Sequence, residues 1–247
     1  MAVRQLRGAL LSTAALTGAV VLFLGIHGAL ARSLSARVTA ACAAGATASC
    51  VDLQLQLGAM YDGVARYLGF TTITCILIAA IWGAPMISRE IESGTAALAW
   101  CQSVTRRQWF AARLTVSLIA VGALGLAFGF AVTWWAASFE ALEASGRSTA
   151  GVIYVYGPLL AAEWIAGLTI GIAIGALVNR ILPAVTVTAV VTLAAAITFN
   201  VTAAGLDTGG TDAAQVLASQ VATSLPILAL AAVAAAAAFH RLGRLRV

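Results

Sequence analysis

The stretch Ile81–Leu114, IWGAPMISREIESGTAALAWCQSVTRRQWFAARL, decides how the rest of the chain is read. It is polar and carries its charges in a dense order. Arg89, Glu90 and Glu92 come first, then Gly94 and Thr95, then Trp100, Gln102 and Ser103, then Arg106, Arg107 and Arg113. The apolar runs on either side are long enough to cross a bilayer, which takes about 20 residues of helix. A segment of this kind joins two membrane spans and lies in water or among the headgroups.

Wound as a helix at roughly 3.6 residues per turn, Ile87–Cys101 puts Ile87, Ile91, Gly94, Leu98 and Cys101 on one face. Arg89, Glu92 and Ser93 fall opposite. The pattern is that of an amphipathic helix lying in the membrane surface. Arg89 and Glu92, three apart, are spaced to pair along it. Gly94 weakens a single unbroken helix and divides the segment into two shorter ones. Trp100 falls on the polar side, where it anchors at the interface or docks into another protein. The alternative is a solvated connector whose charges only keep it out of the lipid.

Pro85, Arg89-Glu90, Glu92, Gly94-Thr95, Trp100, Gln102 to Arg106 and Trp109 together carry a resemblance. The string resembles the cytoplasmic segment of actinobacterial ABC-2 type transporter permeases. There the pattern is a proline, then R-E-x-E-x-G-T, a short apolar stretch, W-x-Q-S-V-T-R and a nearby R-W. Cys101 and Ala96-Ala97 depart from it, standing where more polar residues are expected. The resemblance implies that the segment is a coupling helix seated in a groove of an ATPase. Arg89, Glu90, Glu92, Gly94, Thr95, Trp100, Arg106 and Arg107 are then its ATPase-coupling residues. It further implies two cytosolic ABC ATPase subunits and a second permease copy, identical or related, in the working assembly.

Composition sets the class independently. The chain is 62% hydrophobic and 9% charged over 247 residues, against about 45–50% and about 25% in soluble domains. Its mean hydropathy is +0.98. A soluble core has no use for so much apolar surface, so the chain reads as one integral membrane domain over 1–247. All 14 basic residues are arginine. A Walker A loop needs a lysine on the phosphates, so ATP and Mg, if they drive this protein, bind a separate chain. No cofactor or metal is expected on this one.

The apolar runs give six expected spans at 8–30, 67–87, 109–138, 152–178, 181–204 and 221–239. The fold class is therefore an all-α integral membrane protein of six transmembrane helices, with the cytoplasmic amphipathic coupling helix between spans two and three. Ala29-Leu30-Ala31 resembles a signal-peptidase site, but the apolar run before it is longer than a signal core and reads as a span. Residues 31–66, 139–151 and 205–219 are the outer loops, with a short surface helix from Leu53 to Leu68. Cys42 and Cys50 in the first loop form a disulfide if that side is oxidising; the alternative is two free thiols. Pro85 is expected to break or kink the second span where it leaves the bilayer, and Trp134 and Trp135 to mark the outer end of the third. In the fourth span Gly167, Gly171 and Gly175 recur on one face and permit close helix packing. Glu163 lies within that apolar run and Asn200 late in the fifth; both are candidates for a substrate cavity. The alternative for Glu163 is a carboxylate reaching the outer interface or an aqueous cleft.

Ten arginines fall on the side of the termini and the organising stretch: Arg4, Arg7, Arg89, Arg106, Arg107, Arg113, Arg180, Arg241, Arg244 and Arg246. Four fall opposite, Arg32, Arg37, Arg66 and Arg147. The positive-inside rule then places both termini in the cytoplasm of a bacterial plasma membrane. The net charge of +5 is a topology signal toward membrane lipid, not a nucleic-acid footprint. The expected function is the permease subunit of an ATP-driven exporter. The resemblance is the main support for an amphipathic or apolar substrate, a drug, lipid or peptide. The rivals are a non-transporting membrane scaffold or sensor, and a membrane-embedded enzyme. The second has little to work with, since the two histidines lie at opposite membrane faces and no catalytic residue stands out.

Overall fold

The computed structural model describes residues 2–68, 71–94, 105–145, 157–204 and 213–244. These residues are helical almost throughout, with no strand among them. The elements are α1 (Ala2–Ala43), α2 (Thr47–Leu68), α3 (Thr71–Leu77), a π-helical turn (Ile78–Gly83) and α4 (Ala84–Glu92). Then come α5 (Arg106–Ala136), a 3-10 turn (Ala137–Phe139), α6 (Glu140–Ala144), α7 (Gly157–Val178), α8 (Ile181–Ala204) and α9 (Ala213–Arg244). Among the described residues, five helical stretches are long and apolar enough to cross a membrane: Leu11–Ala43, within Thr47–Glu92, Arg107–Leu142, Gly157–Val178 and Ala222–Arg241. The apolar part of α8, Ile181–Ala195, is shorter.

The helices divide into two compact units, Met1–Thr71 with Leu126–Leu160, and Thr72–Gly125 with Ala161–Val247. In the first unit the sequence reading of a loop after Leu30 is corrected. α1 runs 42 residues, or about 63 Å at the helical rise, twice the hydrocarbon thickness of about 30 Å. The reason is composition: no glycine or proline occurs from Ala29 to Ala44, and the run is rich in alanine. Gly45, at φ +72°, turns the chain back into α2, which starts well before the expected surface helix. Cys42 and Cys50 are bonded across this turn. The third outer loop is corrected in the same way, because the helix-forming run from Ala213 onward already belongs to α9.

The first unit is centred on aromatic rings. Trp135 and Phe139 are fully buried. Tyr61 stacks on Trp135 with centroids 5.5 Å apart, and Phe139 meets both rings edge-on. The Trp135 indole N–H donates to Nδ1 of His27 at 3.0 Å. Of the two tryptophans expected at a headgroup boundary, Trp135 is thus a core residue. Trp134 is partly exposed, with the Arg32 guanidinium 4.8 Å from its ring centre.

In the second unit the chain passes from α3 through the π turn into α4 with helical backbone at both junctions. Pro85 therefore does not end the helix. It sits in the first turn of α4, and the wider turn before it already runs in a different hydrogen-bond register, with the Ala84 N–H donating to the Ala79 carbonyl. A π turn accommodates a residue that cannot donate its own N–H. The glycine face of α7 packs against this irregular stretch. A Cβ on Gly167 would stand 2.8 Å from the Cys75 sulfur. One on Gly171 would meet the Ala79 carbonyl oxygen, and one on Gly175 the Ala84 carbonyl oxygen. Reciprocally, a Cβ on Gly83 would stand 2.6 Å from the Leu168 carbonyl oxygen. The backbones approach because side chains are absent from both sides.

Candidate functional site

The charged residues of the organising stretch begin on α4. Ala84, Met86, Ile87 and Ser88 are buried, so the apolar face of this helix packs on protein rather than lying against lipid. Ser88 donates its hydroxyl to the Ala84 carbonyl at 2.8 Å, satisfying a buried polar group inside the helix. Met86 sulfur lies 3.6 Å from the Ser117 hydroxyl of α5. Arg89 is exposed on the opposite side.

The helix ends where the glycine is. Ser93 donates its N–H to the Arg89 carbonyl, and Gly94 donates to the Ile91 carbonyl from φ +69°. A left-handed glycine just past the last turn closes a helix in this way. α4 stops at Glu92, so the helix is interrupted at the glycine expected to divide the segment. Thr95 and Trp100 lie outside the described residues, as do the side chains of Arg106 and Asn200. α5 begins after a capping box. Gln108 donates its backbone N–H to the Thr105 hydroxyl at 3.3 Å, and Thr105 donates its N–H to the Gln108 side-chain oxygen at 3.2 Å. Arg107 in its first turn is exposed.

Glu90 and Glu92 both have partners within the chain. Glu90 forms an ion pair with Arg113 of α5, Oε1 to Nη1 at 2.5 Å, with the two side chains only 14% and 18% exposed. The Arg113 guanidinium also lies 4.9 Å from the ring centre of Trp109, a cation–π contact. Glu92 turns to the first residue of α8 instead of to Arg89, accepting the Ile181 N–H at 2.7 Å. That amide is one of the orphan donors of a helix start, and a carboxylate there also meets the positive end of the helix dipole. The connection before α8 is held by Asn179 at φ +59°, a conformation asparagine tolerates better than most residues.

A second candidate group surrounds Glu163. Glu163 is on α7 and half-buried. Its carbonyl accepts a hydrogen bond from the Cys75 thiol at 3.1 Å. The neighbouring Trp164 donates its indole N–H to the Thr74 hydroxyl at 3.0 Å. Both bonds join α3 to α7 one turn before the glycine contacts begin.

Three features of this region were missed in the sequence reading. The Thr105/Gln108 box was available from the T-x-x-Q spacing ahead of an apolar run. The Glu90–Arg113 and Glu92–Ile181 contacts span 23 and 89 positions, and no local pattern announces them.

Neither the curated proteins nor the solved structures gave a match to this chain. A family model does: residues 13–203 match ABC-2 membrane transporter related. The match covers most of the sequence and takes in α4, the polar stretch after it and Glu163 alike, and the chain therefore belongs to the ABC-2 membrane transporter related family.

Proposed function

We propose that this chain is the membrane-spanning permease subunit of an ATP-driven exporter, paired with a second permease copy and two cytosolic ATPase subunits. The family match over residues 13–203 carries this reading. The absence of any lysine in the sequence supports a separate ATPase chain, since no Walker A loop can be built here. The arginine asymmetry supports a plasma-membrane protein with both termini in the cytoplasm and a sixth span in α8. The stretch from α4 to the start of α5 would then face the ATPase and couple nucleotide-driven closure to the spans. The burial of one face of α4 and the exposure of Arg89 and Arg107 favour contact through the arginines. The substrate would be amphipathic or apolar.

The test is purification of the full chain, in lipid nanodiscs, together with a Walker A protein if one is encoded beside it. A permease brings down that ATPase and stimulates its hydrolysis, and Arg89→Glu weakens both without changing elution of the permease alone. A chain that leaves hydrolysis unchanged under every condition is a scaffold or sensor instead.

A further inference from the structure

We propose that Glu90 and Glu92 form a two-point clasp that fixes the end of α4 to α5 and to the start of α8, so that the three helix ends move as one body. Its mechanical meaning rests on the coupling reading above, but the clasp itself stands on geometry. The two carboxylates sit on the last turn of one short helix. One pairs with Arg113 at 2.5 Å and the other accepts the Ile181 amide at 2.7 Å. Both are charge-assisted contacts, stronger than neutral hydrogen bonds. The Glu90–Arg113 pair is largely shielded from water, and removing one member leaves the other as an uncompensated charge.

The placement makes the contacts interdependent. Glu90 and Glu92 are two residues apart, and the turn that carries them is closed by the Ser93-to-Arg89 bond and stopped by Gly94. A turn so held cannot rotate to release one carboxylate while keeping the other in place. The clasp is also the last fixed point of α4 before the polar stretch that begins after Gly94. A displacement delivered to that stretch therefore reaches α5 through Arg113 and α8 through Ile181 together. Glu90, Glu92 and Arg113 are positioning residues: none need touch substrate or nucleotide.

Hydrogen exchange on the full-length protein in nanodiscs tests this. Glu90→Gln and Arg113→Gln touch neither Glu92 nor Ile181. In both, exchange at the Ile181 amide is expected to rise about tenfold or more, the scale of one charge-assisted bond lost. The charge swap Glu90→Arg with Arg113→Glu is expected to restore protection. Unchanged exchange in the single variants, or a swap that leaves it raised, overturns the clasp. Should Arg113→Gln not fold, Glu90→Asp keeps the charge but withdraws it by one methylene, and the same two outcomes apply. The ATPase assay separates this from the functional proposal. Raised exchange in Glu90→Gln with no ATPase ever engaged leaves the clasp standing and removes the exporter. Normal stimulation by the wild-type chain with unchanged Ile181 exchange in Glu90→Gln does the reverse.

Discussion

Substituting Gly171 by alanine places one methyl group where α7 meets the π turn. The new Cβ would run into the Ala79 carbonyl oxygen and stand 3.0 Å from the Ala84 nitrogen. Neither neighbour can yield cheaply. Both are backbone, and they are bonded to each other as donor and acceptor of the π turn. Forcing a methylene into a packed interface costs about 1–3 kcal/mol. Against this, alanine is favoured over glycine inside a helix by about 1 kcal/mol. Gly171→Ala should therefore destabilise by up to about 2 kcal/mol net. Gly25→Ala is the matched control: Gly25 lies in α1 and an added Cβ there has nothing within 4 Å. It keeps only the helical gain, so the two variants should differ by about 1–3 kcal/mol. Gly122→Ala should fall between them, since its Cβ would meet the movable end of Ile165 at 3.4 Å. Equilibrium unfolding in mixed micelles, with all three variants in one detergent composition, measures the differences. If Gly171→Ala proves as stable as Gly25→Ala, the close approach of α7 to the π turn is wrong, and the packing account of the second unit goes with it.

Cys42→Ser should loosen the α1–α2 turn by about 2–3 kcal/mol, the chain-entropy value for so short a loop; recovery of both thiols in blocked form from the non-reduced wild type by mass spectrometry would rule out the bridge. Glu163→Gln should change transport, or its dependence on pH, while leaving assembly intact; identical transport profiles across pH would assign the carboxylate to an interface instead of a transport path. Replacing Thr105 by alanine removes one half of the capping box and should cost about 0.5–2 kcal/mol, seen as a lower unfolding midpoint. A midpoint equal to that of wild type would mean the start of α5 is held by other contacts.

The sequence made the membrane helices and the packing face of α7 legible because both are written in local periodicity. A long apolar run has few folds open to it in lipid, and glycines four apart face one neighbour wherever the helix lies. The helix expected over 181–204 coincides with α8 because Asn179-Arg180 and Pro183 mark its start so sharply, although its apolar part, Ile181–Ala195, is shorter. Positions that depend on what comes across from another helix were not legible. Trp135 looks like a headgroup anchor until His27 and Tyr61 are seen around it. Glu90 and Glu92 look like surface charges until Arg113 and Ile181 are seen opposite them. Pro85 looks like a helix end because proline's penalty is counted against an α register, and the chain uses another register there. α1 outruns the apolar run because hydropathy delimits a span but only helix breakers delimit a helix, and none stands between Ala29 and Ala44.

The π turn also sets an azimuth. Such a turn holds one residue more than its α counterpart, and one residue is worth about 100° of rotation about a helix axis. Deleting one residue within Ile78–Gly83 would restore α register and keep α4 facing as it does, whereas closing the turn to α register with no residue removed would swing everything after it by that angle. Glu90 would leave Arg113 and Glu92 would leave the Ile181 amide, although neither carboxylate had been altered. The orientation of the charged end of α4 is thus set by the hydrogen-bond register of a turn upstream, one whose buried Ala79 and Gly83 are held against the glycine face of α7.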